Sequence, residues 1–195
     1  PMKPIDYLRQ FVKVEPEVES AITEMMREHT YKRGDTIRGA INLSTYAYYI
    51  VKGSARLFYT NRGKEHTYSF SFTDEFIMLS RFIIRHHPDT VAIQFLEPTT
   101  VMFIPHLRMK DMLKQAGVQI DEAALLFVMS AMAQHAMALE ERLDVMQTGS
   151  AEERYRWAIE RYPQLPECAT VTQIASFLGV TKETLYRIRS GKYHS

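Results

Sequence analysis

The sequence predicts an α+β protein in which a jelly-roll-like β roll with flanking helices is followed by a long helix and a C-terminal helix-turn-helix. Three observations support this fold class. Turn clusters between residues 32 and 89 recur about every 10 residues and separate β-branched and aromatic runs, as in β sandwiches and barrels. Residues 121–146 contain no helix breaker. Residues 171–190 have the residue types of two short helices that cross at a steep angle.

The composition is that of a soluble globular protein. The 195 residues are 46% hydrophobic and 24% charged, and no apolar run approaches the ~20 residues of a membrane span. The first residues lack the basic and apolar regions of a secretory signal. We therefore expect a cytoplasmic protein without a membrane partner. The single cysteine, Cys168, excludes an internal disulfide and a cysteine-based metal site within one chain.

The β roll is expected to be framed by helices. Apolar positions predict a helix over residues 5–29 that Pro16 interrupts. Alternation of apolar and polar residues, together with β-branched content, predicts strands whose ranges are 46–51, 54–60, 67–72 and 91–104, with a hairpin turn at 61–64. A short helix at about 106–116 should then end at Gly117.

The long helix over residues 121–146 carries two apolar stripes. Steps of four and three residues alternate along the first stripe and average about 3.5, which is typical of a coiled-coil seam. The seam predicts a homodimer; the alternative is a helix buried in the core of a monomer. A second stripe of Leu126, Phe127, Ala133 and Met137 could pack on the β domain. The seam residues are Leu125, Met129, Met132, Ala136, Leu139, Leu143 and Met146.

The C-terminal region begins with a predicted helix over residues 151–162, for which Ser150 is a candidate N-cap. In the segment that follows, Ala175 provides a small residue where two helices cross, and Gly179 provides the turn. Apolar contacts are expected from Ile174, Leu178, Val180, Leu185 and Ile188. The predicted domains are a β domain at 1–117, a connecting dimer helix at 118–148 and a helical domain at 149–195.

The outward face of the second short helix is polar and basic. Residues 171–195 contain four basic residues and one acidic residue, whereas the whole chain has a net charge of only +1. This distribution favours attraction of phosphate by the C-terminal end. An ordinary helical hairpin that closes a small domain is the alternative. The candidate DNA-contacting residues are Thr181, which is also the expected N-cap, Lys182, Glu183, Tyr186, Arg187, Arg189 and Lys192.

The order of these elements resembles the Crp/Fnr family of bacterial transcription regulators. The resemblance depends on glycine turns at Gly34, Gly53 and Gly63, on YYIVKG at 48–53, on the seam, and on IASFLGVTKETLYRIR at 174–189. It implies a cyclic-nucleotide-binding-like sensor roll, a dimerisation helix and a DNA-binding helix-turn-helix, without enzymatic activity. The implied partners are double-stranded DNA, a second copy of the chain and RNA polymerase, with recognition helices ~34 Å apart in successive major grooves.

The sequence departs from the family at the cyclic nucleotide pocket. Relatives that bind cyclic nucleotides hold the phosphate with an Arg-Ser or Arg-Thr pair, and an alignment on residues 93–104 places Asp89-Thr90 there. Because an aspartate repels phosphate, we expect neither cyclic AMP nor cyclic GMP as a ligand, and no effector is assigned. Arg81 and Arg85 could form a relocated anion site or a solvated loop. Gln134 and His135 could line a ligand pocket or lie on the helix flank.

Two further features narrow the function. The chain stops shortly after Arg189 without the β wing that such regulators commonly carry, so we expect salt-sensitive DNA binding. The histidines show no His-x-His pattern, and neighbouring His86 and His87 would point to opposite sides of a strand. We therefore expect no metal site and no catalytic residues. The alternatives to a DNA-binding regulator are a ligand- or partner-binding module and, less favoured, a cupin-like metalloenzyme.

Overall fold

The computed structural model describes residues 15–38, 46–77, 91–105, 108, 111, 114–115, 117 and 122–192. Within its helices, the side chains of Val18, Ile22 and residues 122–132, 134 and 135 are not described. The chain divides into two compact units. The first unit comprises Pro1–Leu57 with Phe70–Ser130, and the second comprises Phe58–Ser69 with Ala131–Ser195.

The first described helix is shorter than the sequence predicts. Helix α1 spans Pro16–Met25, and strand β1 spans Arg27–Tyr31. The prediction of helix up to residue 29 is wrong because these residues pair with a strand near residue 100, as in the register His29↔Val101. Pro16 lies at the start of α1, a position where the missing N–H costs nothing. Residues 5–14 lie outside the described part of the chain.

The described strands form two four-stranded sheets with the orders β1-β8-β3-β6 and β2-β7-β4-β5. The remaining strands are β2 Thr36–Arg38, β3 Ala47–Lys52, β4 Ser54–Asn61, β5 Lys64–Phe72, β6 Phe76–Ile77, β7 Val91–Phe95 and β8 Thr99–Ile104. The predicted strand at 91–104 is therefore two strands. It breaks because β7 and β8 belong to different sheets, and Pro98 favours the bend between them.

Aromatic and aliphatic side chains fill the roll. Tyr48 and Tyr49 are each 2% exposed, and Phe95 stacks on Tyr31 with a centroid separation of 4.2 Å. The buried hydroxyl of Tyr49 donates to Asp74 at 3.0 Å. Burial raises the pKa of the Tyr48 phenol above its ordinary value, so the side chain stays neutral. The described part of the first unit thus has a hydrophobic core that includes large aromatic side chains.

Two glycines have conformations that their turns require. Arg62 and Gly63 have φ values of +48° and +75°. Two consecutive positive φ values are typical of the two-residue turn that joins twisted antiparallel strands. The predicted hairpin is therefore confirmed between β4 and β5. Gly53 has φ +110°, and a Cβ there would lie 2.5 Å from Thr99 Oγ1. Only glycine fits between β3 and β4 because Thr99 approaches so closely.

The C-terminal region is helical, as predicted. Helix α2 spans Glu122–Thr148, α3 Ala151–Arg161, α4 Leu165–Cys168, α5 Val171–Leu178 and α6 Lys182–Arg189. Ser150 caps α3 as expected: its hydroxyl accepts from the Glu153 N–H at 3.3 Å. Of the predicted helix at 106–116, residues 108, 111, 114 and 115 are described and helical. Across the described residues, no helix has the length and apolar character needed to cross a membrane.

Candidate nucleic-acid interface

Helices α5 and α6 form a compact pair whose ends are capped by side chains. The Thr170 hydroxyl accepts from the Gln173 N–H at 3.3 Å, and the Gln173 side chain accepts from the Thr170 N–H at 2.8 Å. At the start of α6, the Thr181 hydroxyl accepts from the Thr184 N–H at 3.1 Å. These bonds satisfy helix N–H groups that would otherwise lack a partner. The predicted N-cap role of Thr181 is therefore confirmed.

The turn between the two helices depends on Gly179, which has φ +66°. This left-handed conformation allows the Val180 N–H to donate back to the Ala175 carbonyl at 3.0 Å, which closes the end of α5. On the inner faces, Ile174, Leu178 and Leu185 are fully buried, each 0% exposed. Burial of the inner faces leaves the opposite face of α6 towards solvent.

The solvent face of α6 carries the positive charge. The side chains that the sequence predicts for DNA contact are all exposed: Thr181, Lys182, Glu183, Tyr186, Arg187, Arg189 and Lys192. Within the described part of the chain, neither the Arg187 nor the Arg189 guanidinium donates a hydrogen bond to the protein. The structure thus brings the predicted contact residues together on one helix and its C-terminal end. Their cations are available for a ligand.

Glu183 stabilises the start of α6 as well as being a candidate for DNA contact. Hydrogen bonds from its own backbone N–H and from Thr181 hold the pKa of the Glu183 carboxyl below its ordinary value, and the charges of Lys182 and Arg187 act in the same direction. A carboxylate that caps its own helix N-terminus has fewer oxygens available to accept from a cytosine amine. Capping of α6 and contact with a base would therefore compete for the Glu183 carboxylate.

The capping box of α3 gives a pH-dependent contribution to stability. Hydrogen bonds from the backbone and side chain of Ser150 lower the pKa of the Glu153 carboxyl from its ordinary value of 4.5. A lowered folded-state pKa stabilises the fold above the unfolded-state pKa and loses this contribution as pH falls through the folded value. We expect Glu153→Gln to lower the melting temperature at neutral pH and to have no effect at a pH below both pKa values. Thermal unfolding followed by circular dichroism at several pH values measures this difference. A constant difference at all pH values would contradict the assignment, and Glu152→Gln, at an exposed neighbouring position, is the control.

An aromatic cluster behind the helix pair was missed in the sequence. Phe177, 2% exposed, stacks on Trp157 with centroids 6.1 Å apart and meets the edge of Tyr162. The Arg142 guanidinium lies 4.2 Å from the centroid of the Phe177 ring. Phe177 follows the apolar pattern of α5, but no local pattern indicates that a residue of α2 reaches it. This cluster, defined by Phe177, Trp157, Tyr162 and Arg142, joins three helices of the second unit.

The strands of the two sheets lie in a region that matches a known domain. Residues 28–116 match the cyclic nucleotide-binding domain. The predicted fold class is thereby confirmed for the β roll of this domain and its flanking helices. A comparison with curated protein sequences finds no significant match.

Three solved structures share the fold. FixK2 from Bradyrhizobium japonicum is 20% identical, with 86% of this chain and 84% of that chain covered and a TM-score of 0.65. A Eubacterium rectale protein assigned to the Crp/Fnr family of transcriptional regulators is 18% identical, with coverage of 91% and 83% and a TM-score of 0.68. The c-di-GMP responsive global regulator CLP of Xanthomonas campestris is 12% identical, with coverage of 93% and 95% and a TM-score of 0.65. The TM-scores show that this chain shares the fold of these three proteins.

The predicted ligand pocket of the cyclic nucleotide-binding domain falls outside the described residues. This applies to all of Arg81, Arg85, Asp89 and Thr90. Gln134 and His135 lie in helix α2, but their side chains are not described. Across the described residues, no group of histidine, cysteine, aspartate and glutamate side chains is arranged to hold a metal ion.

The predicted dimer seam is described in its C-terminal half. Ala136 is exposed, Leu143 is 54% exposed, and Leu139 and Met146 are half-buried. Leu125, Met129 and Met132 lie in α2, and their side chains are not described. Of the second stripe, the described side chains of Ala133 and Met137 are exposed, Met137 at 66%. The exposed side of the described part of α2 therefore carries apolar residues, Ala136, Met137 and Leu143, beside the charged residues Glu140 and Asp144.

Proposed function

We propose that the chain is a homodimeric transcription regulator in which α5 and α6 form a helix-turn-helix that binds double-stranded DNA. The observation that carries this proposal is the exposed basic face of α6 on a helix whose inner face is buried. Lys182, Arg187 and Arg189 are exposed on α6, and α6 begins at a capped N-terminus. Such a helix fits the major groove with its N-terminal residues at base edges.

Different residues of the proposed interface would have different roles. Lys182 and Arg187 are assigned to base or phosphate contacts, Thr181 to a backbone phosphate, and Lys192 with Arg189 to non-specific attraction. Glu183 is assigned mainly to the helix N-terminus, since its carboxylate already accepts hydrogen bonds there. In the proposed interface, most residues would contact phosphate and position the helix, and only Lys182 and Arg187 are candidates for contact with base edges.

Dimerisation would provide a second copy of the proposed DNA-binding helix. The exposed side of α2 presents Ala136 and Leu143, which are seven residues apart and so lie on one face of the helix. Apolar side chains repeated along one helix face are stabilised by packing against the same face of a second copy. A two-fold dimer presents two α6 helices, which fits a two-fold DNA site. RNA polymerase would be the further partner of such a regulator.

The β roll would act as the sensor. Its match to the cyclic nucleotide-binding domain supports a small-molecule site in the roll, but Asp89 in place of the phosphate-binding arginine argues against cyclic AMP and cyclic GMP. A ligand could regulate binding only by preferring one of two arrangements of the protein.

Binding to duplex DNA at increasing salt tests the proposed function. We expect measurable binding to random duplex at low salt, with an affinity that falls steeply as salt rises, because lysine and arginine displace counterions from phosphates. On a selected specific site, Arg187→Ala should cost about 1 to 3 kcal/mol and relax one base position. Fluorescence anisotropy with labelled duplexes measures both quantities.

The exposed Arg156 of α3 offers a matched control. Arg156→Ala removes the same charge outside the proposed interface and should leave affinity nearly unchanged. Equal losses for the Arg187 and Arg156 variants would contradict a defined interface on α6. Absence of any binding to duplex at low salt would reject DNA binding and favour a ligand- or partner-binding module.

A further inference from the structure

Among the described strands, β5 lies at the edge of its sheet, so backbone groups on its outer side are open to partners from elsewhere. One side chain of α5 provides two of them. The Thr67 N–H donates to Ser176 Oγ at 3.0 Å, and the Ser176 hydroxyl donates to the Glu65 carbonyl at 3.3 Å. Thr67 is 3% exposed, so water does not readily replace this bond. A single hydroxyl therefore takes the place of a neighbouring strand along two residues of β5.

Arg142 of helix α2 connects the same strand to the same helix. Its guanidinium donates to the Tyr68 carbonyl and, at 3.0 Å, to the Phe177 carbonyl. The Phe177 carbonyl belongs to the last turn of α5, where carbonyl groups lack helical partners and a positive charge is favourable. Because guanidinium stays charged in proteins, both bonds are charge-assisted. We call Ser176 and Arg142, with Glu65, Thr67 and Tyr68, the hairpin clamp.

The hairpin clamp lies within the second unit, and the strands that carry it continue beyond that unit. Residues Phe58–Ser69 belong to the second unit, whereas β4 before residue 58 and β5 after residue 69 belong to the first. Within the second unit, α5 is joined to α6 by the closed turn at Gly179 and by buried Leu178 and Leu185. A displacement of the hairpin along its strands would therefore reach α6 through α5.

We propose that the hairpin clamp regulates DNA binding by holding α5 and α6 in the arrangement that presents α6 to DNA. This inference rests on the proposed function and adds a control element to it. With the clamp formed, the candidate contact residues of α6 are exposed and none is covered by the hairpin, so the clamped arrangement is open to a duplex. Any ligand or partner that shifts β4 and β5 changes DNA affinity by favouring the clamped or the unclamped arrangement.

Variants of the two clamp side chains test this inference in the full chain. Ser176→Ala removes both bonds to the edge of β5, and Arg142→Lys keeps the charge but cannot span two carbonyl groups. Each variant should speed amide hydrogen exchange in residues 58–69 and 171–189, measured without DNA. Each should also weaken binding to a specific duplex on the order of tenfold, which is typical of coupling between sites.

Two matched variants complete the experiment. Ser176→Thr keeps a hydroxyl at this position, so its DNA affinity should stay near that of the unmodified chain. Thr172→Ala removes a hydroxyl from an exposed position of the same helix and should change neither hydrogen exchange nor DNA affinity. Unchanged affinity with faster exchange would overturn the regulatory role, and unchanged exchange would overturn the clamp itself. Absence of duplex binding by the unmodified chain would instead reject the proposed function, and the regulatory role with it. Hydrogen exchange is measured without DNA, so it tests the clamp even if the unmodified chain does not bind duplex DNA.

Discussion

The Phe177→Ala variant is expected to lose about 3 to 5 kcal/mol of the free energy of unfolding of the second unit. The side chain is 2% exposed and contacts both the Trp157 ring and the Arg142 guanidinium. Its removal leaves a cavity and leaves a half-buried cation without its aromatic partner. Trp157 is the single tryptophan of the chain and stacks on Phe177, so its fluorescence during denaturant unfolding reports on this unit directly.

Tyr186→Ala is the control for the loss of an aromatic ring. Tyr186 lies on the neighbouring helix α6 but is 59% exposed, so its removal should change stability by less than about 0.5 kcal/mol. It should nevertheless weaken DNA binding if α6 contacts the duplex. Equal destabilisation by the two variants would mean that Phe177 is not a core residue in solution.

The Leu143→Glu variant is expected to be monomeric and to bind a two-fold DNA site at least ~100-fold more weakly, because two linked half-site contacts become one. Leu143 is 54% exposed in the single chain and belongs to the predicted dimer seam of α2. A carboxylate there would be buried without a partner in the dimer. Analytical ultracentrifugation gives the oligomeric state, and fluorescence anisotropy gives the affinity.

A charge-matched substitution distinguishes dimer disruption from a change in net charge. Gln164→Glu adds the same negative charge at an exposed position next to helix α4. This variant should remain dimeric and lose little affinity. A Leu143→Glu chain that remains dimeric would show that the partner packs elsewhere on α2.

Features set by neighbouring residues could be predicted from the sequence. The N-caps Ser150 and Thr181, the turn at Gly179 and the hairpin at residues 61–64 all depend on side chains within a few positions. The exposed basic face of α6 was predictable for the same reason, since helical periodicity alone separates it from the buried Leu185.

Features set by distant residues could not be predicted. Strand β1 follows a helix directly and has no clear alternation of apolar and polar residues, so only its pairing with β8 makes it a strand. The break at Pro98 depends on which sheet each half of the predicted strand joins. The hairpin clamp requires Arg142 to reach a carbonyl 74 residues earlier, and a solvent-facing arginine would look the same in the sequence.

The pairing of β1 with β8 also has a kinetic consequence. Thr30 and Thr100 bond through their hydroxyl groups at 2.9 Å across a separation of 70 residues, so the roll closes only after a long loop has lost much of its entropy. Helices α5 and α6 are in contact over a few residues of chain. Proteins with local contacts fold faster than proteins with distant strand pairings. We expect the C-terminal helices to form early in refolding, while the edge of β8 that receives β1 remains open to association with other chains.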